Sequence, residues 1–189
     1  MGRDPRFEVV DGLWHITCKA ARGVLLFRDD LDRRTLLVLL GAAVTRARWV
    51  CLDYCLMGTH YHLVICTPEE TLSTGMQRLN WLYSRCFNDR HATKGHLFER
   101  RFDATFVQSP DHLLRTHRYV ALNPVEAGLC ATAADWPWSG YRALVGLEPA
   151  RSFHDVPRAL LAVDDREDVA RRQLRWIVEG IAPAYAAAP

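Results

Sequence analysis

Residues 13–19 (LWHITCK) alternate apolar and polar side chains, the period of a half-buried strand. After Asp29-Asp30 the spacing becomes helical: Leu36, Leu37, Leu40 and Val44 recur on one face through about Arg48, and the paired aspartates supply a cap. Two nearly continuous apolar runs follow, Trp49–Met57 and His60–Cys66, broken by Gly58-Thr59, which reads as the tight turn of a hairpin. Thr67-Pro68-Glu69-Glu70 marks the start of a second helix, with proline early and acids in its first turn. That helix is expected to span roughly Thr71–Asn88 with Met76, Leu79, Leu82, Tyr83 and Phe87 inward, leaving Arg78, Arg85 and Arg90 on a solvated face. Arg101–Val107 reads as a fourth strand. Pro110 opens a third helix, expected to stop near Asn123-Pro124 because a residue before proline is pushed out of the helical region. Beyond it lie an aromatic packing segment, Trp136-Pro137-Trp138-Ser139, a last helix over about Asp165–Glu179, and an Ala-Pro-rich end expected to be mobile.

The order strand, helix, strand, strand, helix, strand, helix predicts an α+β fold. It is a ferredoxin-like, split β-α-β antiparallel sheet with helices on one face and a C-terminal helical appendage. A chain of 189 residues suits one such domain, and 49% hydrophobic residues suffice for a full core. No apolar run approaches the roughly 18 residues of a membrane span. The opening residues MGRDPRFEVVDG are charged and lack a signal-peptide core, so the expectation is a soluble, cytoplasmic protein without membrane contact. Six cysteines (18, 51, 55, 66, 86 and 130) lack zinc-ribbon spacing and mostly fall in apolar runs, which points to buried free thiols.

Net charge is only +2, but its distribution is uneven. Eight basic residues (78, 85, 90, 94, 100, 101, 115, 118) face four acids (89, 99, 103, 111) between Arg78 and Arg118. A basic block inside a nearly neutral chain is compatible with a nucleic-acid partner.

His60 and His62 lie two apart on a strand, so they share a face while Tyr61 points to the other. Two adjacent imidazoles suit one divalent cation, and equally suit a pair of surface histidines. Tyr119 and Asn123 lie four apart on the third helix and share its face. Should that face meet the sheet beside the histidines, two imidazole nitrogens and an amide oxygen would converge on a cation beside a phenol. A phenol is a weak nucleophile at its free pKa near 10 and needs a polarised target or help losing its proton.

MGTHYHLVI, MQRLNWLYSRCFNDRH with GHLFERRF, RYVALNPVEAGL and DWPWSGYRAL together resemble, in order, the single-tyrosine HUH transposases, most closely the REP-associated tyrosine transposase branch. The resemblance spans roughly residues 13–145. It implies a transposase domain over 1–145 followed by a helical extension and tail over 146–189. It also implies a single-stranded DNA endonuclease and strand transferase that uses Mg²⁺ or Mn²⁺. His60, His62 and Asn123 would be the metal ligands, and Tyr119 the nucleophile that becomes joined to a 5′ phosphate. The implied partner is a REP-like DNA hairpin with a single-stranded flank, and the implied state is a monomer, with a dimer as the alternative. The branch usually carries Pro-Asn where this chain has Gly58-Thr59, which bears on the hairpin's geometry and not on the ligands.

For a DNA partner, phosphates call for Lys and Arg, and splayed bases call for aromatic platforms. Arg78, Arg85, Lys94, Arg100, Arg101, Arg115 and Arg118 are the phosphate candidates, His96 and Phe98 could approach bases, and 166–176 adds four arginines. Two other functions fit the same residues: a non-enzymatic reader of structured DNA or RNA, and a metallonuclease that attacks with water.

Overall fold

The computed structural model describes residues 8–180. The mobile tail expected at the Ala-Pro-rich end lies outside them. Four strands, β1 (Gly12–Lys19), β2 (Val50–Leu56), β3 (His60–Thr67) and β4 (Asp103–Phe106), form one sheet in the order β2-β3-β1-β4. Every neighbouring pair is antiparallel. The crossovers α1 (Asp30–Ala47) and α2 (Leu72–His91) each skip one strand, which is the expected split β-α-β arrangement.

Alternation divides the strand residues between two cores. Trp14, Ile16, Cys18, Tyr54, Leu56, Tyr61, Leu63 and Ile65 pack with α1 and α2. Val50, Leu52, Cys55 and Val64 pack on the other side with α3 (Pro110–Glu126), α4 (Tyr141–Leu144), α5 (Val156–Leu161) and α6 (Glu167–Glu179). The crossover helices therefore cover one face, as expected, and the C-terminal helices close much of the second. A bulge between Cys51 and Asp53 turns Leu52 and Asp53 both toward that second face.

The outer edge of β2 is also covered. Leu56 N–H donates to the Trp138 carbonyl (2.9 Å), Trp136 Nε1 to the Leu56 carbonyl (3.1 Å) and Asp155 N–H to the Cys51 carbonyl (2.9 Å). The aromatic segment thus satisfies backbone groups that an open edge strand would leave unpaired.

Two helix ends differ in part from expectation. α2 begins at Leu72, close to the expected Thr71, but Pro68 and the acids at 69–70 precede its first turn, whose N–H groups are held instead by Glu8: Leu72 N to Oε2 at 3.0 Å and Ser73 N to Oε1 at 2.9 Å. α3 runs through Asn123-Pro124 to Glu126. Proline there removes a single bond near a helix end, and Ala127 N–H still reaches the Asn123 carbonyl at 3.0 Å. None of the six cysteines forms a disulfide; Cys18, Cys51 and Cys55 are buried, but Cys86 is exposed on α2. No described helix is long and apolar enough to cross a membrane.

Arg90 is not simply solvated. Asp29, the N-cap of α1, accepts from Leu31 N–H and Asp32 N–H, and also from both Arg90 guanidinium Nη groups at 2.9 and 2.5 Å. Buried Asp32 takes Arg90 and His91 from the end of α2, tying the two crossover helices together. Arg90 holds the Asp29 carboxyl at about 2, below its ordinary 3.8. A depressed carboxylate adds stability above its unfolded pKa and loses it as pH falls through the folded value. Asp29→Asn keeps a capping oxygen. Thermal melts should show it less stable than the parent at neutral pH, the gap closing as pH approaches 2.

Candidate functional site

The β2–β3 hairpin presents the histidine pair. Met57 N–H closes on the His60 carbonyl at 2.9 Å, and the turn is braced from outside by Ala20 N–H on the Thr59 carbonyl and Leu26 N–H on the Gly58 carbonyl. No steric contact demands glycine at 58; a Cβ there would meet only Leu25, at 4.0 Å. The hairpin thus forms tightly with Gly58-Thr59 in place of Pro-Asn. Tyr61 points the other way, as alternation requires, and its hydroxyl donates to Asn80 Oδ1 at 2.5 Å beneath α2.

His60 and His62 have rings 4.9 Å apart and nearly perpendicular, at 89°. His62 is 2% exposed and His60 half-buried. Burial pushes both imidazoles down, His62 to about 3 with His15 and His60 adding to the effect, so both are neutral at physiological pH. His62 Nδ1 is 3.0 Å from His15 Nε2 and 3.1 Å from Thr17 Oγ1. Its Nε2 is buried and has no partner.

α3 brings the remaining predicted groups. Asn123 Nδ2 donates to the Tyr119 carbonyl at 2.7 Å, and the Asn123 side chain lies close enough to His60 and His62 to favour their protonated forms slightly, against the larger effect of burial. The Tyr119 ring meets His62 edge-on, with centroids 5.5 Å apart at 84°, and His15 likewise at 5.6 Å and 72°. Tyr119 is 46% exposed, so its phenol is open to a substrate. All four predicted residues therefore gather within one chain. Among the described residues no three His, Cys, Asp or Glu side chains form a metal cage. The donors here are two imidazoles and an amide oxygen, and the unpartnered, neutral His62 Nε2 is what a cation ligand requires.

α3 is seated by a buried pair absent from the expected site. The bulge aims Asp53 at α3, where Oδ2 lies 2.8 Å from His117 Nδ1, each side chain 1% exposed. Asp53 Oδ1 accepts from Tyr54 N–H at 2.8 Å. Gly140 makes room: a Cβ there would lie 2.6 Å from Asp53 Oδ1 and 2.8 Å from the His154 ring. Arg118 Nε adds a bond to the Ile177 carbonyl at 2.9 Å, joining α3 to α6.

A family model described as "Transposase IS200 like" matches residues 12–123, the span that contains the sheet, both histidines, Tyr119 and Asn123. The chain belongs to the IS200-like transposase family. Its fold is also that of a REP-associated tyrosine transposase solved bound to a REP hairpin, with a TM-score of 0.67 at 18% identity over 82% of this chain and 94% of that one. No curated protein matches the chain significantly.

In this transposase-family chain the predicted DNA contacts separate. Arg85, His96, Arg100 and Arg101 line a groove of about 870 Å³ between α2 and the segment before β4. Arg22, Trp81 and Phe98 line it too. Trp81 is 52% exposed, and the Arg85 guanidinium sits over its ring at 4.9 Å. The groove shares the sheet's α2 side with Tyr61, which touches Phe98, so it lies across the sheet from the histidines. Lys94 is exposed in the neighbouring loop. Arg115, ion-paired with Asp111, lines a second cleft with His15, Gln108, His112 and Tyr119. Arg78 sits with Arg46 in a pocket between α1 and α2, away from both, and Arg118 is exposed with its Nε bonded to α6. Trp81 resembles any exposed helical tryptophan in sequence, and His15 any strand histidine, so neither was marked.

Asp53→Ala strands buried His117 and should lower unfolding free energy by about 3–5 kcal/mol in denaturant titration. A loss under about 1 kcal/mol would show that the pair does not hold α3.

Proposed function

We propose that this chain is a metal-dependent single-stranded DNA endonuclease and strand transferase of the REP-associated branch, working through a 5′-phosphotyrosine. The observation that carries it is the meeting of His60, His62, Asn123 and Tyr119 in one chain. His60, His62 and Asn123 would hold Mg²⁺ or Mn²⁺, which when bound supplies charge withdrawal from the scissile phosphate. The Tyr119 oxygen attacks phosphorus, the P–O3′ bond breaks, the phenol proton is lost to water at the open face, and the 3′ oxygen leaves as a hydroxyl after protonation. His62, locked by hydrogen bonds and kept neutral, contributes a fixed lone pair. Because nucleophile and histidines come from the same chain, a monomer suffices for cleavage.

The partner proposed is a DNA hairpin with an unpaired flank, acted on in the cytoplasm. The likeness to a structure holding a REP hairpin supports it. So does the arginine-lined groove, where the guanidinium-capped indole of Trp81 offers a stacking surface and Arg100 and Arg101 offer phosphate contacts.

Incubating the protein with labelled hairpin oligonucleotides, with and without Mn²⁺, and running denaturing gels should give a covalent protein–DNA band that depends on metal. Tyr119→Phe should abolish that band while leaving binding largely intact; an unchanged band would exclude Tyr119. Tight, metal-independent binding with no band in the parent would favour the non-enzymatic reader instead, and free ends without a band would favour attack by water.

The groove is tested separately. Trp81→Ala should weaken single-strand binding by about 1–3 kcal/mol. Arg100→Ala should lower the slope of log affinity against log salt by about one. Anisotropy titrations at several salt concentrations read both.

A further inference from the structure

We propose that His15 is a positioning residue of the nuclease site, one that fixes which nitrogen of His62 is free to bind a cation and supports the Tyr119 ring. The inference rests on the metal reading of His60, His62 and Asn123. It starts from how the two rings meet. His15 and His62 have centroids 5.2 Å apart and planes only 26° from parallel, with His15 Nε2 3.0 Å from His62 Nδ1. A nitrogen–nitrogen approach that short, at that centroid distance, places the rings edge to edge in nearly one plane. This is a hydrogen bond between imidazoles, not a stack.

Each neutral imidazole carries one proton. Were the His62 proton on Nε2, the buried N–H would have no acceptor at hydrogen-bonding geometry. With the proton on Nδ1, His62 donates to His15 Nε2, Thr17 Oγ1 stands as a neighbouring acceptor at 3.1 Å, and the Nε2 lone pair is left for a cation. His15 then carries its own proton on Nδ1. A histidine ligand whose other nitrogen donates to a fixed partner is oriented and made more basic by it. Here the partner comes from the adjacent strand, two residues from Thr17, which sits opposite His62 in the β1–β3 register.

The second contact is independent of protons. Tyr119 presents its ring at steep angles to both imidazoles, 84° to His62 and 72° to His15. The hydrogen-bonded pair is thus one platform under the nucleophile's ring. His15 also lines the cleft with Gln108, His112 and Arg115 beside Tyr119, so it stands where the site opens to solvent.

The test separates the hydrogen bond from the platform. His15→Phe keeps an aromatic ring beside Tyr119 and removes the acceptor; His15→Gln restores an acceptor near the Nε2 position. Mn²⁺ binding to the full-length protein, followed by calorimetry without DNA, should weaken by about 10–100-fold in His15→Phe. In His15→Gln it should return to within a few-fold of the parent. His60→Ala serves as the control for the metal reading. Parent-like Mn²⁺ affinity in His15→Phe, with binding lost in His60→Ala, overturns the role of His15 and leaves the metal site standing. Parent-like behaviour in both variants overturns the metal reading and this inference with it. Should His15→Phe fail to fold, long-range nitrogen–proton NMR of the parent decides. A protonated Nδ1 and bare Nε2 on His62 support the assignment, and the reverse tautomer overturns it.

Discussion

The docking of α3 on the open face of the sheet is the constraint on which the candidate site depends. The histidines belong to β3 and the tyrosine and asparagine to a helix some sixty residues later, and no local rule brings them together. The fastening is a buried carboxylate–imidazole pair, Asp53 with His117, two residues before the tyrosine. Burying such a pair costs desolvation that its attraction barely offsets, so it is better understood as a register device than as a source of stability. A helix that slid by one turn would leave both partners unpaired in a dry interior. The apolar contacts of Leu113, Val120 and Ala121 would tolerate that slip far better.

That pair exists because β2 is bulged. Strict alternation from Cys51 would turn Asp53 to the face covered by α1 and α2, out of reach of His117. One extra residue in the strand re-aims it, and Gly140 clears the space it needs. The C-terminal helices then become part of the site's support rather than an ornament on it. α5 and α6 pack over the same face, Arg118 ties α3 to α6, and the 136–140 segment seals the β2 edge.

What sequence reveals of this follows from the range of each interaction. The period-2 placement of His60 and His62, the outward turn of Tyr61, and the shared helical face of Tyr119 and Asn123 are local consequences of backbone geometry, and all were legible. The strand and helix order was legible for the same reason. The Glu8 cap on α2 acts across 64 positions, and the Asp53–His117 pair also across 64. Neither has any signature in the stretches it joins. The bulge is silent because Val50–Leu56 is buried at every position, which removes the alternation that would expose a slip. Pro124 misled for a different reason: the rule against helix before proline is a statistical cost, and a helix pinned by burial at Val120 and Ala121 can meet it near its end.

Burial is distributed unevenly among the gathered groups, and the unevenness matches the role proposed for each. A cation ligand gains from being dry. Away from water an imidazole stays neutral, so protons do not compete for its lone pair, and packing holds its ring in one orientation. His62, at 2% exposure, meets both demands. A nucleophile has opposite needs, since the phosphate must reach it and its proton must leave. Tyr119, at 46% exposure, keeps its ring against the imidazoles and stands at the rim of the site. The gradient from dry imidazole to wet phenol is set by the geometry of the docked helix. Its inner face carries Thr116, His117, Val120 and Ala121 into the core, and Tyr119 is held at the boundary between that face and solvent. A helix rotated inward would bury the tyrosine and shield it from the phosphate. One rotated outward would withdraw Asn123 from the imidazoles. The orientation fixed by Asp53 serves both residues at once, so the site's chemistry and the helix's anchorage cannot be varied independently.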